Sequence, residues 1–487
     1  MKNNALRQPL LDAPLDRGDD ALPLQRQLHR RFKDAILDGS LAPGSRMPGS
    51  RALAESLSIS RNTVTAAYDQ LAVEGYVEPD RQGTRVAKLA FPAPPRMPRV
   101  VPVMPALSRR VARSPLRWRG ADSSIALRPG VPALTHFPLG AWRRIVDRAI
   151  HRAGNSALGY GNPLGEPALR ASIARRLSIS RGVLCEPAQV VITEGAQEAL
   201  LLCVHLLTNP GDTAWIEDPG YRGAKAAMRA GDLRMVPVRV DGDGLNVPDA
   251  AWETQPPRLI YTTPSHQYPT GAVLTVARRL ALIEKAQRHG AWIIEDDYDS
   301  EFRHAGGSIG AMQGLVAHSN VLYVGTFSKT MFPSLRLGFL VLPEALVARV
   351  QTSLEDMLRG GHRYEQLALA DFIESGQFGR HLGRMGRLYR DRQQALRDAL
   401  LRHMPAPVLI EGGFGGMHLT LRLAARYPDH EVVAAARAHD IAPAPLSEFS
   451  LQSQPEDNGL VIGYGNTALD MFEPLVKRLS ETMQTLK

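Results

Sequence analysis

The sequence predicts a multidomain protein. A small helical module with a β-hairpin precedes a large α/β domain, which ends in a smaller C-terminal α+β subdomain. Three observations lead to this prediction. Within the 487 residues, positive charge is concentrated near the N-terminus. A proline-rich stretch follows that basic part, and beyond it strand-like apolar runs alternate with helical patterns. Such alternation is typical of an α/β sheet with parallel strands.

The net charge of +9 is unevenly distributed along the chain. Residues 21–120 contain 17 Lys and Arg against 7 Asp and Glu, whereas residues 121–487 contain 38 of each class. This asymmetry predicts a polyanionic partner for the N-terminal part alone. An apolar content of 44% excludes a disordered chain.

The two cysteines, Cys185 and Cys203, have no metal-ligand spacing and form no disulfide framework. We therefore expect a reduced, cytoplasmic protein without a metal site. Residues 1–20 lack the apolar segment of a signal peptide and are expected to form a loose tail. The apolar stretch at 199–204 is too short to span a membrane, and no membrane partner is predicted.

The first module, at 21–87, is predicted to contain helices at 24–37, 50–57 and 61–74 and a hairpin at 76–86. Apolar residues at helical spacing indicate a buried stripe on the third helix, namely Val64, Ala67, Tyr68 and Leu71. Four polar residues remain at its start, where a recognition helix meets base edges and phosphates: Arg61, Asn62, Thr63 and Thr65. Gly83 permits a tight hairpin tip, and Arg81 and Arg85 flank it as a basic wing.

Two segments closely resemble the winged helix-turn-helix of GntR-type regulators: Pro48-Gly49-Ser50-Arg51-Ala52-Leu53-Ala54 and Ser60-Arg61-Asn62-Thr63-Val64-Thr65-Ala66-Ala67-Tyr68. The resemblance implies double-stranded operator DNA as the partner. It assigns the DNA contacts to Arg51, Ser60, Arg61, Thr63 and Gly83. That family usually has Ser where this chain has Gly49. The alternative is a small three-helix domain that binds another protein.

A linker is predicted at 88–120, with six prolines between 92 and 105 and a basic stretch at 109–119. From 121 to 487 the chain is predicted to form one large domain. Strands are expected at 189–192, 213–217, 258–262, 292–295 and 321–324. Helices are expected at 195–207, 277–289 and 395–402. The smaller α+β subdomain begins near Ser375.

The segment Thr326-Phe327-Ser328-Lys329 follows the last of these strands, and Arg336 lies seven residues further on. Burial at the edge of a core disfavours the ammonium form of a lysine, and a neutral lysine is what Schiff-base chemistry needs. Arg336 and the neighbouring hydroxyls are suited to hold a phosphate. This combination predicts pyridoxal 5'-phosphate as cofactor.

That cofactor also needs a helix N-terminus for its phosphate, a flat cover for its ring and a carboxylate for its ring nitrogen. Four other motifs at strand ends offer candidates: Thr193-Glu194-Gly195-Ala196-Gln197, Asp218-Pro219-Gly220-Tyr221, the loop at 262–271, and Glu295-Asp296-Asp297-Tyr298. Each motif alone is commonly just a turn or a helix start. Their shared position is that of a ligand site in an open α/β sheet.

These motifs resemble fold-type I aminotransferases over 121–487, and the fusion resembles the MocR subfamily of GntR-type bacterial transcription regulators. By that resemblance Lys329 forms the internal aldimine, Asp296 pairs with the pyridinium, Tyr298 contacts the ring hydroxyl and Tyr221 stacks on the ring. The phosphate contacts implied are Ala196, Gln197, Thr326, Ser328 and Arg336. Tyr160 matches a tyrosine that reaches the phosphate of the partner subunit.

Two departures from aminotransferases affect the expected function. Aminotransferases commonly have Asn-Pro-Thr-Gly where this chain has Tyr268-Pro269-Thr270-Gly271, with His266 nearby. Their C-terminal strand carries an arginine for the substrate carboxylate, but the matching segment at 459–464 has none. Arg422 and Arg363 are the candidates to replace it.

The resemblance implies a homodimeric regulator, head-to-tail or domain-swapped, that acts on the nucleoid. Its sensor domain would respond to pyridoxal phosphate itself, an amine or an amino acid. An active aminotransferase with an accessory DNA-binding head is the alternative. No physiological turnover is expected, although an aminotransferase half-reaction stays open. A third interpretation treats the large domain as an inert dimerisation scaffold.

Overall fold

The computed structural model describes residues 14–18, 21–80, 83–88, 106, 108, 110, 124–304, 306–307, 309–405 and 408–486. Its contacts divide the chain into two compact units, Met1–Ala106 and Leu107–Lys487. Most of the linker predicted at 88–120 lies outside the described residues. The domain boundaries at 21–87, 88–120 and 121–487 therefore stay a prediction.

The N-terminal unit contains the three predicted helices and the predicted hairpin. Their bounds are Leu24–Leu37 (α1), Ser50–Ser56 (α2), Arg61–Val73 (α3), Val77–Asp80 (β1) and Gly83–Val86 (β2). The core forms where the apolar stripes of the helices meet, and Leu28, Val64 and Leu71 are fully buried there. Phe32 contacts Tyr68 edge to face, with ring centroids 5.6 Å apart. The small helical fold predicted for this unit is confirmed.

The two helices of the helix-turn-helix begin differently. Helix α3 is capped by Ser60, whose Oγ accepts a hydrogen bond from the Thr63 amide at 3.1 Å. Helix α2 follows Gly49, which offers no side-chain cap. In the hairpin, Gly83 has a φ of 131°, a conformation that suits glycine. Arg81 lies outside the described residues, whereas Arg85 pairs with Asp80 at 2.8 Å.

The described part of the N-terminal tail is not loose, and the expectation for 14–18 is wrong. The Asp16 amide donates to Gln27 Oε1 at 2.9 Å, and Gln27 Nε2 donates back to the Asp16 carbonyl at 2.8 Å. Arg17 donates to the Ser58 carbonyl at 2.7 Å, in the turn between α2 and α3. These acceptors are mostly backbone groups, which leave no pattern in the sequence.

The large unit is built on an eight-stranded sheet with the order β3-β10-β9-β8-β7-β4-β5-β6. Its strands are Val190–Thr193 (β3), Thr213–Asp218 (β4), Arg234–Asp241 (β5), Gly244–Leu245 (β6), Leu259–Thr262 (β7), Trp292–Asp297 (β8), Val321–Thr326 (β9) and Gly338–Val341 (β10). The pairs among β5, β4, β7, β8 and β9 are parallel. Because β10 is antiparallel to both β3 and β9, β3 runs in the same direction as β9. The predicted α/β sheet is confirmed.

Helices cover both faces of this sheet. They are Leu139–Ala153 (α4), Pro167–Arg181 (α5), Ala196–Leu207 (α6), Arg222–Ala230 (α7), Asp249–Thr254 (α8), Val276–Arg288 (α9), Glu344–Met357 (α10) and Arg363–Glu374 (α11). Successive residues of a strand point to opposite faces, and Ile293 and Ile294 of β8 accordingly belong to different hydrophobic clusters. Burial on both faces explains why strands such as β7, β9 and β10 are nearly continuous apolar runs.

The smaller C-terminal subdomain predicted from Ser375 is also present. A four-stranded antiparallel sheet has the order β11-β12-β14-β13, with strands Leu409–Glu411 (β11), His418–Arg422 (β12), Ala444–Pro445 (β13) and Gly459–Gly463 (β14). Three helices accompany it, Gln377–His403 (α12), Asp429–Ala436 (α13) and Phe472–Thr485 (α14). Within the described part of the chain, no helix has the length and apolar character needed to cross a membrane.

Candidate cofactor and DNA-binding sites

A cavity of about 370 Å³ opens where β3, β4, β7, β8 and β9 end. Since these strands run in one direction, the segments that follow them meet at one edge of the sheet. The cavity is lined by every cofactor-site residue predicted from the sequence except Tyr160, that is, by Ala196, Gln197, Tyr221, Asp296, Tyr298, Thr326, Ser328, Lys329 and Arg336.

Lys329 lies directly after β9, and its Nζ donates to the Gly130 carbonyl at 2.6 Å. Burial lowers the pKa of this lysine, while the carboxylates of Asp299 and Asp296 act in the opposite direction. Lowering the pKa increases the fraction of neutral amine at a given pH. A neutral amine is the form that attacks a carbonyl carbon.

Asp296 is buried at the end of β8, opposite the lysine segment. The Tyr261 hydroxyl donates to its Oδ2 at 2.7 Å, whereas its Oδ1 is buried without a hydrogen-bond partner. Burial raises the pKa of Asp296 to about 7, and the Tyr261 hydrogen bond opposes this rise. A buried acceptor of this kind is costly unless a donor fills it, and the protonated ring nitrogen of pyridoxal phosphate is such a donor.

Aromatic rings form the sides of the cavity. Tyr221 and Tyr268 meet edge to face with centroids 6.0 Å apart, and Tyr268 meets Tyr298 in the same way at 5.6 Å. The Tyr298 hydroxyl lies 3.0 Å from Nδ1 of His266. Burial raises the pKa of Tyr221 to about 12, so its phenol stays neutral. The walls can therefore enclose a flat ring and offer it a hydroxyl.

The opposite end of the cavity has the features of a phosphate site. Ala196 and Gln197 begin helix α6, whose first amides have no acceptor within the helix. A Cβ on Gly195 would lie 3.3 Å from the Arg336 guanidinium, and Gly195 has a φ of 80°. A side chain there would crowd Arg336 and would be strained by this left-handed backbone conformation. Thr326 and Ser328 add hydroxyls to the same wall.

Asp299 and His418 also line the cavity, and the sequence did not single them out. Asp299 accepts a hydrogen bond from His266 at 3.0 Å, and His418 Nε2 donates to the Pro269 carbonyl at 3.0 Å. The ligand atoms of His266, Asp299 and His418 lie within 4.8 Å of one another, a spacing that a metal ion can use. One nitrogen of each imidazole is already engaged, since His266 Nδ1 bonds Asp299 and His418 Nε2 bonds the Pro269 carbonyl.

The two arginines considered for a substrate carboxylate are engaged elsewhere. Arg363 Nε pairs with Glu166 at 2.5 Å, and Arg422 Nε pairs with Glu411 at 2.9 Å. Neither arginine lines the cavity. Tyr160 is 92% exposed on the surface of the single chain. Its predicted contact with the partner's phosphate stays a prediction.

In the N-terminal unit, most of the predicted DNA-contacting residues lie at the cap or in the first turns of α3, while Arg51 lies on α2 and Gly83 begins β2. Arg51, Asn62 and Thr65 are exposed, and Arg61 Nε lies 3.4 Å from the hydroxyl of Ser50. The hydroxyls of Ser60 and Thr63 are 2.8 Å apart at the helix cap. Exposed basic and polar groups at a helix N-terminus are suited to bind phosphate oxygens and base edges.

Comparison with known proteins identifies both units. Residues 24–86 match the family of bacterial regulatory proteins called gntR, and residues 131–440 match the class I and II aminotransferases. The chain is 39% identical over 456 residues to the probable rhizopine catabolism regulatory protein MocR of Rhizobium meliloti, covering 92% of this chain and 91% of that protein. The chain belongs to the GntR-type regulators that carry an aminotransferase domain.

Two further similarities extend over most of this GntR-type regulator. It is 31% identical to the pyridoxine biosynthesis transcriptional regulator PdxR of Corynebacterium glutamicum, covering 94% of this chain and 95% of that protein. A crystal structure of LysN, the alpha-aminoadipate aminotransferase of Thermus thermophilus complexed with N-(5'-phosphopyridoxyl)-L-leucine, matches with a TM-score of 0.68. The identity is 27%, covering 75% of this chain and 93% of that chain.

The aminotransferase match and the cavity together support pyridoxal 5'-phosphate as the cofactor of this regulator. The buried Oδ1 of Asp296 fits the ring nitrogen, and the Arg336 end fits the phosphate. Sequence reasoning missed the role of Tyr261 because that residue lies inside a uniformly apolar strand. The signal for Asp299 was weak, since it only extends the acidic run that contains Asp296.

Proposed function

We propose that this GntR-type regulator binds operator DNA through its winged helix and uses its aminotransferase-like domain to sense an amino compound or the cofactor itself. One observation carries the proposal. The same chain combines a basic gntR module with a cavity that offers a contact for each part of the cofactor. A binding site this complete supports a sensor rather than an inert scaffold.

In this proposal Lys329 would hold the cofactor at its aldehyde carbon, and Asp296 would accept a hydrogen bond from the ring nitrogen. Tyr298 contacts the ring hydroxyl, and Tyr221 covers the ring. The phosphate is held by Ala196, Gln197, Thr326, Ser328 and Arg336, with Tyr160 supplied by the partner subunit. The bound cofactor supplies an electron-withdrawing ring next to the carbon that bears the amine.

The protein's own groups control protons at two atoms of this site. Burial favours the neutral form of Lys329 Nζ, which prepares it to react. The Tyr261 hydroxyl favours the charged form of Asp296, which allows it to pair with a cationic ring nitrogen. The aromatic walls exclude water and strengthen both interactions.

For the DNA-binding side we propose that Arg51, Ser60, Arg61, Asn62, Thr63, Thr65 and Gly83 contact the operator. A homodimer, head-to-tail or domain-swapped, would present two modules to half-sites spaced by a helical turn, ~34 Å, or multiples of it. The modules at 21–87 would be connected by the linker at 88–120 to the sensor domains at 121–487. The site of action would be the nucleoid, in the cytoplasm.

An active aminotransferase with an accessory DNA-binding head is the second candidate. The nearly full set of ring contacts favours it. The engagement of Arg363 and Arg422 with Glu166 and Glu411 argues against it, because an α-carboxylate is then left without a bidentate partner.

Two measurements test the proposal. DNA fragments from upstream of this gene and its chromosomal neighbours are titrated with the full-length protein, and binding is followed by fluorescence anisotropy. We expect binding that changes when amino compounds or pyridoxal phosphate are added. Lys329→Ala should abolish this response and leave DNA binding intact. Sustained transamination of amino donors and keto acids, with no binding to any fragment, would contradict the proposal.

A further inference from the structure

We infer that the effector recognised beside Lys329 is a primary amine without a carboxylate group. The inference rests on the proposed sensor function and names the chemical class that the cavity selects. It concerns the wall away from the phosphate end, which we call the effector wall. This wall consists of Tyr268, Tyr298, Asp299, Met417 and His418.

The positive charges that face the cavity are already assigned to other tasks. Among the cavity-lining residues that the structure describes, Lys329 and Arg336 carry the ammonium and guanidinium groups. Arg336 lies against Gly195 at the start of α6, where it serves the phosphate. Lys329 is the amine that the cofactor itself engages. Within the lining that this chain provides, an effector carboxylate would therefore meet no unassigned cation.

Two buried arginines near the cavity, Arg181 and Arg279, are held by partners whose loss would destabilise the fold, whereas the partly exposed Arg222 pairs with Glu448 at 2.9 Å. Arg181 pairs with Asp297 at 2.8 Å, and both side chains are 3% exposed. Arg279 donates to three backbone carbonyls, those of Leu274, Gly310 and Pro264, at 2.7–2.8 Å. Removing either guanidinium would leave a buried charge or several buried carbonyls unpaired. These arginines are part of the fold and do not serve as ligand clamps.

The effector wall offers an environment that opposes an anion. Asp299 brings a buried carboxyl group to the wall. His418 donates from Nε2 to Pro269, and burial lowers the pKa of its imidazole to about 3, so it carries no positive charge at neutral pH. Near such groups a carboxylate loses its hydration without gaining a cationic partner. An ammonium or hydroxyl group can instead donate a hydrogen bond to the Asp299 carboxyl group, and an alkyl group has no charge to desolvate.

The test compares amines with the amino acids that differ from them by one carboxylate. The pairs are ethanolamine and L-serine, cadaverine and L-lysine, and agmatine and L-arginine. Each is titrated calorimetrically into the full-length protein loaded with pyridoxal phosphate. We expect at least one amine to bind, and to bind at least about tenfold more tightly than its amino acid. Tighter binding by the amino acids, or failure of all three amines to bind, would overturn the inference.

Two variants sharpen the comparison. His418→Arg places a guanidinium on the effector wall and should shift selectivity toward the amino acid of each pair. Arg422→Gln is the matched control and should leave the selectivity unchanged, because Arg422 lies outside the cavity. A selective loss of amino-acid binding in Arg422→Gln would reveal a carboxylate clamp and refute the inference. Thermal unfolding of both variants checks that they remain folded.

Operator binding is measured in parallel without any ligand. If the operator is bound and the amino acids bind more tightly than the amines, the inference about the effector fails and the regulator function stands. If no operator fragment is bound under any condition, the proposed function itself fails. The two failures are thereby distinguished.

Discussion

Tyr261→Phe removes the single hydrogen bond to Asp296 Oδ2 and gives a quantitative test of the cofactor site. The bond is 2.7 Å long and buried. A hydrogen bond to a charged group contributes about 1.5–3 kcal/mol. Its loss disfavours the carboxylate form of Asp296 and raises a pKa that already lies at about 7. A protonated Asp296 pairs less well with a cationic ring nitrogen.

The expected result is a roughly 10- to 100-fold weaker affinity for pyridoxal phosphate at pH 7, since about 1.4 kcal/mol corresponds to a factor of ten. Because the pKa rises, the defect should be largest at or below neutral pH. It should shrink as the pH increases and Asp296 ionises again. Equilibrium dialysis between pH 6 and 9 measures both effects.

Tyr389→Phe is the matched control. Its hydroxyl is also buried and accepts a hydrogen bond from the Ala133 amide at 3.0 Å, but it does not line the cavity. We expect Tyr389→Phe to lower the stability of the fold about as much as Tyr261→Phe does. Its affinity for pyridoxal phosphate should be unchanged. If Tyr261→Phe binds the cofactor as tightly as the unmodified protein at every pH, Asp296 does not depend on Tyr261. The assignment of Asp296 to the ring nitrogen would then lose its support.

Three further predictions concern operator binding and cofactor binding. Arg61→Ala should abolish operator binding with cofactor loading intact in gel-shift and absorbance assays; loss of both would indicate misfolding. Arg17→Ala removes the hydrogen bond to the turn between α2 and α3 and should weaken operator binding about two- to fivefold, because an exposed charged hydrogen bond contributes up to about 1 kcal/mol. An unchanged affinity would show that the tail plays no part in DNA recognition. Gly195→Ala should weaken cofactor binding at least about tenfold, measured by equilibrium dialysis, because the left-handed backbone at the start of α6 disfavours a side chain that also crowds Arg336; retained affinity would contradict the phosphate assignment.

The sequence predicted the elements best where local rules decide them. The strand β9 is an apolar run buried on both faces, and helix α3 begins at a serine cap. Lys329 and Asp296 could be proposed because each follows a strand, and parallel strands bring their ends together. Their chemical roles remain predictions until the variants are measured.

Other parts of the site depend on contacts that no local pattern encodes. His418 belongs to the four-stranded sheet, and its place on the cavity wall follows from how that sheet packs against loop 262–271. Tyr261 carries its hydroxyl on a strand whose other residues are purely structural. Arg17 contacts backbone carbonyls, which have no residue identity to recognise. In each case the two contacting groups lie far apart in the sequence. The partner is a common side chain or a backbone group that no motif marks.

The cavity is shared by the two sheets of the large unit, and this arrangement bears on how an effector could act. Asp296 lies at the end of β8 and Lys329 and Tyr221 follow strands of the same eight-stranded sheet, whereas Met417 and His418 belong to the subdomain. Asp218 ties them together, since its carboxylate accepts from the Leu451 amide at 2.6 Å. A ligand on the effector wall therefore contacts both parts at once.

Such a ligand can shift a conformational equilibrium only through a difference in its affinity for the two arrangements of these parts. Contacts with His418 and Tyr268 would supply that difference, because Tyr268 belongs to the loop after β7 and His418 to the subdomain sheet, and their rings meet with centroids 5.0 Å apart. Any change in the angle between the sheets alters this distance. Under the proposed sensor function, effector binding would thus be coupled to subdomain position by the same residues that would select its chemistry.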